Sequence, residues 1–439
     1  MLFKNIKIVD GNYEVQEGMF VRTEGSVISY IGSSCPEPVE GEDIYDGTGK
    51  VMMPAFYNVH CHVPMTILRG YGDGLPLQQW LFDKIFPFEA KLTGEAVYWS
   101  TKLGAMELIA SGSASISDMY FYISDMARAL DESGMKANLC HGISSFDPEV
   151  KVRELKGYLD TIALQEEVDA GSFSDTGLAA DSRIRVDMGL HAEYTTTENF
   201  VRQIAEAAEE TGMTVHVHIS ETESEHNECK ERHDGRTPVR YFSDCGIFRS
   251  PVMAAHCVWL EDEDVEIMKA AGAVAVHNPS SNLKLGSGIA PVSAYLKKGL
   301  KVALGTDGAS SNNNLNMMEE MHMAAMIARG SSRDANAISA ADIIRMATYE
   351  GAQAQRRERC GKLCEGWKAD LIVIDTNKAH LQPDFNTLSN IVFSAQSSDI
   401  VLNMIDGRVV YRDGEFTFID HEKVIYEANR HFRKILSVL

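Results

Sequence analysis

The 439-residue sequence contains no apolar run near the roughly 18 residues that a membrane-crossing helix needs. Positive charge is scarce as well: 41 Lys and Arg stand against 63 Asp and Glu, a formal charge of −22. That balance argues against nucleic acid or an anionic membrane surface as a partner. Cysteine forms no framework. Its eight copies are scattered, and Cys360 and Cys364 have no second Cys or His pair to complete a zinc knuckle. Buried free thiols in a reducing cytoplasm are the expectation. The opening segment MLFKNIKIVDGNYEV lacks the apolar core of a signal peptide and reads as a strand entering a turn, in keeping with a cytoplasmic location.

What is present is a large apolar reservoir, 44% of the residues, with an ordinary charged share of 24%. This excludes disorder as the dominant state. The two ends of the chain resemble each other. FKNIKIVDG, GMFVRTEG and VISYIG near the start, and KADLIVIDT, VLNMIDGRVVYRDG and EFTFI near the finish, are short β runs punctuated by turns. They suggest one small β-sandwich domain built from residues 1–52 and 359–439, the latter ending in a helix.

Between them, residues 53–358 alternate apolar β runs with helical stretches. Eight runs can be counted, at 51–63, 113–120, 136–143, 183–194, 213–221, 251–258, 273–280 and 301–309. Eight strands separated by helices predict an α/β fold, a (β/α)8 TIM-type barrel. The helix signals agree locally. Thr195 and Glu198 form a capping-box pattern, with Gly212 at the exit; Ser339 and Asp342 open another helix, with Gly351 expected to close it. Met317, Met318, Met321, Met323 and Met326 have helical spacing and read as core.

In such a barrel, reactive groups stand at the C-terminal ends of strands. His62, His218, Glu221, His256 and Asp307 all fall at or just beyond these ends. His60-Cys61-His62 sets two imidazoles on one side of a strand, because residues i and i+2 point the same way. The fifth strand repeats the pattern in His216-Val217-His218, and the eighth ends in Gly305-Thr306-Asp307-Gly308. Three histidines and an aspartate, with room for water, match an open catalytic metal site. His216 lies one pleat deeper than His218 and reads as a packed or hydrogen-bonded interior residue, and His277 as structural.

The chain resembles the metal-dependent amidohydrolase superfamily, in its branch acting on purine-like rings. It is most similar to the S-adenosylhomocysteine/5-methylthioadenosine deaminase group, with s-triazine chlorohydrolases as neighbours. The resemblance runs nearly end to end. Its motifs include Met53-Pro54, His60-Cys61-His62, Leu68-Arg69-Gly70, Leu75-Pro76-Leu77 with Trp80-Leu81, and His218-Ile219-Ser220-Glu221-Thr222. Further along come Ala255-His256-Cys257, Asn278-Pro279, Ser281-Asn282-Leu283-Lys284-Leu285 and Ser311-Asn312-Asn313-Asn314.

The resemblance implies that His60, His62, His218 and Asp307 bind one divalent metal, zinc first and iron(II) or manganese(II) next. Glu221 would be the acid/base, His256 would contact the attacking hydroxide, and Asp307 would also accept the proton that water loses. The implied reaction is hydrolytic deamination of a purine-like heterocycle, a free base or a nucleoside, with release of ammonia. Loss of another leaving group such as chloride, or opening of a cyclic amide, is the alternative; a non-catalytic scaffold is the third. The segment DMGLHAEYTTT of the fourth strand has no lysine of the kind that bridges two metals in binuclear relatives, so a single metal is expected. The H-x-E with P-C-x-x-C signature of cytidine deaminases is absent too.

Substrate contacts are implied at Gln79, Trp80, His141 and His191. Members of the closest group are expected to carry a ribose-reading glutamate just before the tryptophan, where this chain has Gln78-Gln79-Trp80. Homocysteine-accepting members carry an arginine where His141 precedes Gly142. The first departure weakens the expectation of a ribonucleoside, and the second favours a smaller or uncharged ligand over S-adenosylhomocysteine. A homo-oligomer is expected by analogy.

Overall fold

The structure is a computed structural model that describes residues 1–75 and 77–439. Pro76, one of the motif residues above, lies outside the described residues. Eight parallel strand positions form the barrel. They are β1 (Phe56–His62), β2 (Ser113–Tyr120), β3 (Lys136–His141), β4 (Ile184–Val186 and Met188–Leu190), β5 (Val215–Ile219), β6 (Val252–His256), β7 (Val274–His277) and β8 (Lys301–Leu304). β4 is interrupted at Asp187, so its first half pairs with β3 and its second with β5. The ring closes where β8 runs on into Asp307–Gly308, which pairs with Cys61 and His62 of β1.

The closure depends on close backbone approach. A Cβ at Gly305 would lie 2.8 Å from the His60 carbonyl oxygen, so only glycine lets the last strand reach the first. Asn58 then clips the two strands together: it donates to the Thr306 hydroxyl (2.7 Å) and accepts from the Thr306 amide (3.1 Å).

The first apolar run is split by the fold. Lys50–Pro54 joins a nine-stranded sheet built from both chain ends, and Phe56–His62 enters the barrel. In that sheet Leu371–Asp375 lies antiparallel to Lys50–Pro54, which runs parallel to Leu2–Val9. Phe3, Ile6, Met52, Leu371 and Leu402 share a core of their own. The sheet is tied to the barrel floor by a buried charge cluster. Lys136, at the start of β3, reaches Asp370 at 2.6 Å and Asp406 at 2.8 Å, and Tyr57 donates to Asp370. Tyr57 thus has a partner in the other sheet. The last helix, His421–Leu436, packs against the barrel helix Gly94–Ala110.

Two helix boundaries differ from the sequence reading. Helix Glu198–Thr211 is capped by Thr197, whose hydroxyl accepts from the Phe200 amide, and not by Thr195, whose hydroxyl bonds back to the Ala192 carbonyl. Gly212 does end it, in the left-handed conformation at φ 68°. Ser339 and Asp342 form their capping box, but Gly351 lies inside the next helix, Tyr349–Ala354. A Cβ there would meet the Tyr57 carbonyl at 2.5 Å, so this glycine serves packing and not termination. Met317, Met318 and Met321 are buried as expected, while Met326 faces out.

Candidate active site

The polar residues at the strand ends converge. His62 donates from Nδ1 to the Met119 carbonyl (2.7 Å), and His218 from Nδ1 to the His191 carbonyl (2.7 Å). A carbonyl can only accept, so both rings carry their proton on Nδ1 and turn an Nε2 lone pair inward. These two Nε2 atoms stand 3.4 Å apart. His60 Nε2, buried and without a hydrogen-bond partner, lies 3.5 Å from Asp307 Oδ1, and His62 Nε2 lies 3.3 Å from the same oxygen. Burial pushes the His60 imidazole down to about 3 and the His62 and His218 imidazoles below their ordinary range, so all three rings are neutral donors.

Asp307 is aimed by its neighbours. Its Oδ2 accepts from the hydroxyls of Ser281 (2.5 Å) and Ser311 (2.9 Å), and its Oδ1 from the Gly308 amide (2.8 Å). Three neutral imidazole nitrogens and one carboxylate oxygen, crowded together without mutual hydrogen bonds to explain them, fit a divalent cation in charge and ligand type. The orphaned His60 nitrogen is the clearest sign.

Glu221 and His256 form the other half of the site. His256 donates from Nδ1 to Asn282 Oδ1 (2.9 Å), which leaves Nε2 facing Glu221 Oε2 at 3.7 Å. The Ser287 hydroxyl donates to Glu221 Oε1 (3.1 Å). Burial raises the Glu221 carboxyl above its ordinary range, with His256 opposing. Ser220, His256, Cys257 and Asp307 all adopt left-handed backbone, φ between 49° and 73°, at the ends of their strands. Strained backbone gathered around one cavity is characteristic of functional sites.

The cavity above these groups is lined by His62, His191, His218, Glu221, His256 and Asp307 at its base. Trp80, Phe82, Phe86 and Phe146 form much of its wall. His191 is among the lining residues, with Nδ1 against the Thr195 hydroxyl (3.0 Å) and its imidazole lowered to about 4 by burial. His141 does not. It lies in an adjoining recess with Lys156 and Asp160, behind Phe121. Gln79 is exposed and outside the cavity lining, although Trp80 beside it is buried and lines the wall. On a helical turn adjacent residues point about 100° apart, so one of the pair had to face away.

The carboxylate that does line the wall is Glu89, which the sequence reading passed over. Its side chain is buried next to the Tyr120 hydroxyl in the lining, and burial pushes its carboxyl up to about 7 against the opposing hydrogen bond from Tyr120. A π-helical turn at Leu81–Ile85 separates Trp80 from the Phe86–Glu89 helix and shifts the helical phase, a change that no sequence period announces. Ser281, Ser311 and Asn282 were visible as motif residues, but their task of aiming Asp307 and His256 was not.

Residues 51–410 match the model of the amidohydrolase family. The chain belongs to the amidohydrolase family. It is an enzyme of the hydrolase class that acts on carbon–nitrogen bonds. The chain is 38% identical to a 5-methylthioadenosine/S-adenosylhomocysteine deaminase of Thermoanaerobacter pseudethanolicus, over 100% of this chain and 99% of that protein. It is also 38% identical to a 5'-deoxyadenosine deaminase of Methanothermobacter thermautotrophicus, covering 90% of this chain and 89% of the other. Among solved structures, an adenosine deaminase from Xanthomonas campestris with bound zinc superposes with a TM-score of 0.90 at 27% identity, covering 100% and 98% of the two chains. No helix among the described residues is long and apolar enough to cross a membrane.

Proposed function

We propose that this amidohydrolase deaminates the purine ring of an adenosine whose 5′ substituent is small and uncharged, releasing ammonia. The observation that carries the reading is Glu221: a buried carboxyl, raised above its ordinary range, beside three inward-facing imidazole nitrogens and Asp307. Burial favours the protonated form of this carboxyl, which can give its proton to a ring nitrogen, a step that displacement of a better leaving group such as chloride demands less.

His60, His62, His218 and Asp307 would hold the metal, and zinc suits three imidazoles and a carboxylate with an open position. Such a cation, when bound, acts as a Lewis acid and lowers the pKa of water to about 7. Asp307 accepts the proton that the attacking water gives up. Glu221 protonates the ring nitrogen as oxygen bonds to the amine-bearing carbon, so that negative charge does not accumulate on the ring. His256, fixed by Asn282, orients the nucleophile through Nε2. The amine then takes up the proton held by Asp307, the carbon–nitrogen bond breaks to release ammonia, and the remaining hydroxyl proton passes to Glu221 as the ring carbonyl forms. The aromatic wall of Trp80 and Phe86 packs the base and displaces water.

Glu89 supplies the acceptor for two ribose hydroxyls, the role that the position of Gln79 suggested. Among the described residues no Lys or Arg lines the cavity, so a charged amino-acid tail on the 5′ carbon finds no partner there. The 5'-deoxyadenosine deaminase among the relatives agrees with this preference, whereas the name of the 5-methylthioadenosine/S-adenosylhomocysteine deaminase also includes a substrate with an amino-acid tail. The eight free thiols suit a reducing compartment, and a homo-oligomer stands as an analogy with such enzymes.

The test is a substrate panel with ammonia as the readout, run on protein assayed for metal. Turnover of 5′-deoxy- and 5′-thio-adenosines above that of adenine, guanine and S-adenosylhomocysteine, with about one metal per chain, is the expected result. Ammonia from none of these would end the proposal.

A further inference from the structure

One of the three histidines facing the metal position differs from the other two. His62 and His218 have their tautomers dictated by backbone carbonyls, which can only accept. His60 instead places Nδ1 2.8 Å from Nε2 of a fourth histidine, His216. An imidazole nitrogen can accept or donate, so this contact alone does not fix where the His60 proton resides. If His216 donated, His60 would carry its proton on Nε2 and could not offer a lone pair to a cation.

The neighbours of His216 favour one direction. Its other nitrogen, Nδ1, lies 3.7 Å from the Cys140 sulfur. The Cys140 thiol is buried and has an acceptor of its own, the Asp118 carbonyl at 3.6 Å. With its hydrogen pointed at that carbonyl, the sulfur presents lone pairs to His216, whose Nδ1 must then carry the proton. Its Nε2 is left as an acceptor, His60 donates from Nδ1, and the orphaned His60 Nε2 faces the cavity as a lone pair. Both rings are fully buried and neutral, so this is a hydrogen bond between uncharged rings and not a repulsive pair.

We propose that His216 is a positioning residue for metal binding: the chain Cys140–His216–His60 imposes the His60 tautomer that leaves Nε2 free for the cation. This rests on the metal site described above. The burial of this polar ring is offset by its hydrogen bond to His60. Partners of metal-binding histidines commonly contribute about 10–100-fold to affinity.

The test compares the full-length wild type with His216→Phe and His216→Gln. Each is stripped by chelation and titrated with zinc in competition with a chromophoric chelator. His216→Phe keeps the ring shape without an acceptor and should bind zinc about 10–100-fold more weakly. His216→Gln retains an acceptor oxygen and should recover most of that loss, a rescue that shape alone would not produce. Wild type and His216→Phe binding zinc equally tightly would overturn the inference while leaving the metal site intact; a wild type that binds no zinc would instead overturn the proposed function. Equal weakening in both variants would assign His216 to packing and also overturn it. Should His216→Phe fail to fold, histidine-selective nitrogen NMR of the zinc-loaded wild type decides. A scalar coupling between His60 Nδ1 and His216 Nε2, with the proton on the former, is expected; a proton on His216 Nε2 would refute the assignment.

Discussion

Glu221 and His256 face each other at 3.7 Å across the base of the cavity, each held from behind by its own partner. Ser287 donates to the carboxylate and Asn282 fixes the imidazole. Neither group approaches the other closely enough for a hydrogen bond, so both polar atoms are free to contact a reacting atom placed to one side of them. Division of labour between proton donor and nucleophile orienter follows from that spacing.

The proton-donor role makes Glu221→Gln a sharp variant. The amide keeps the size of the side chain and the hydrogen bond to Ser287 but cannot deliver a proton. Turnover should fall by about 10²–10⁴-fold, the usual contribution of a general acid. Metal content, measured by elemental analysis, should be unchanged, because Glu221 is not among the converging donor atoms of His60, His62 and Asp307.

Glu89 and Gln79 make opposite predictions. A hydrogen bond to a charged group is worth about 1.5–3 kcal/mol, so Glu89→Gln should lower kcat/KM for a ribonucleoside substrate roughly ten- to hundredfold. It should have little effect on a 2′,3′-dideoxy analogue. Gln79→Glu, on an exposed position, should leave both unchanged. A rise in kcat/KM for Gln79→Glu would show that the exposed helix face turns inward during catalysis.

The same carboxylate gives a pH signature. Burial raises Glu89 to about 7, so it is protonated below that value and ionised above it. Only the ionised form accepts from both ribose hydroxyls, and kcat/KM should therefore fall as pH drops through about 7. In Glu89→Gln that acid limb should flatten. A limb that persists unchanged would belong to another group.

The charge cluster at the barrel floor is structural. Lys136 is buried between Asp370 and Asp406, and the two acids together hold its ammonium above the ordinary lysine range against the desolvation that opposes it. Lys136→Met would leave Asp370 as an uncompensated buried charge, which costs about 3–5 kcal/mol. Denaturant unfolding should register this loss while the remaining folded enzyme keeps its KM.

These predictions lean on parts of the molecule that the sequence revealed to different degrees. His60, His62, His218 and Asp307 were legible because strand parity fixes which side chains share a face and because barrel chemistry sits at strand ends. The split β domain was legible from turn-punctuated runs at both ends. Glu89 was hidden because the π-helical turn at Leu81–Ile85 resets the helical phase between it and Trp80. His141 could be placed at a strand end but not in one of two adjoining recesses, since that choice depends on the Phe121 ring between them. The direction of the His216 bond was hidden for a related reason: it is set by Cys140, which is remote in sequence.

The most direct measurement is product analysis of metal-replete protein incubated with 5′-deoxyadenosine or 5′-methylthioadenosine, with Glu221→Gln as the control. The account predicts one ammonia per molecule consumed and the corresponding inosine-type product in wild type, formed about 10²–10⁴-fold more slowly in the variant. Consumption of a chlorinated triazine with release of chloride, and no ammonia from any adenosine, would contradict it.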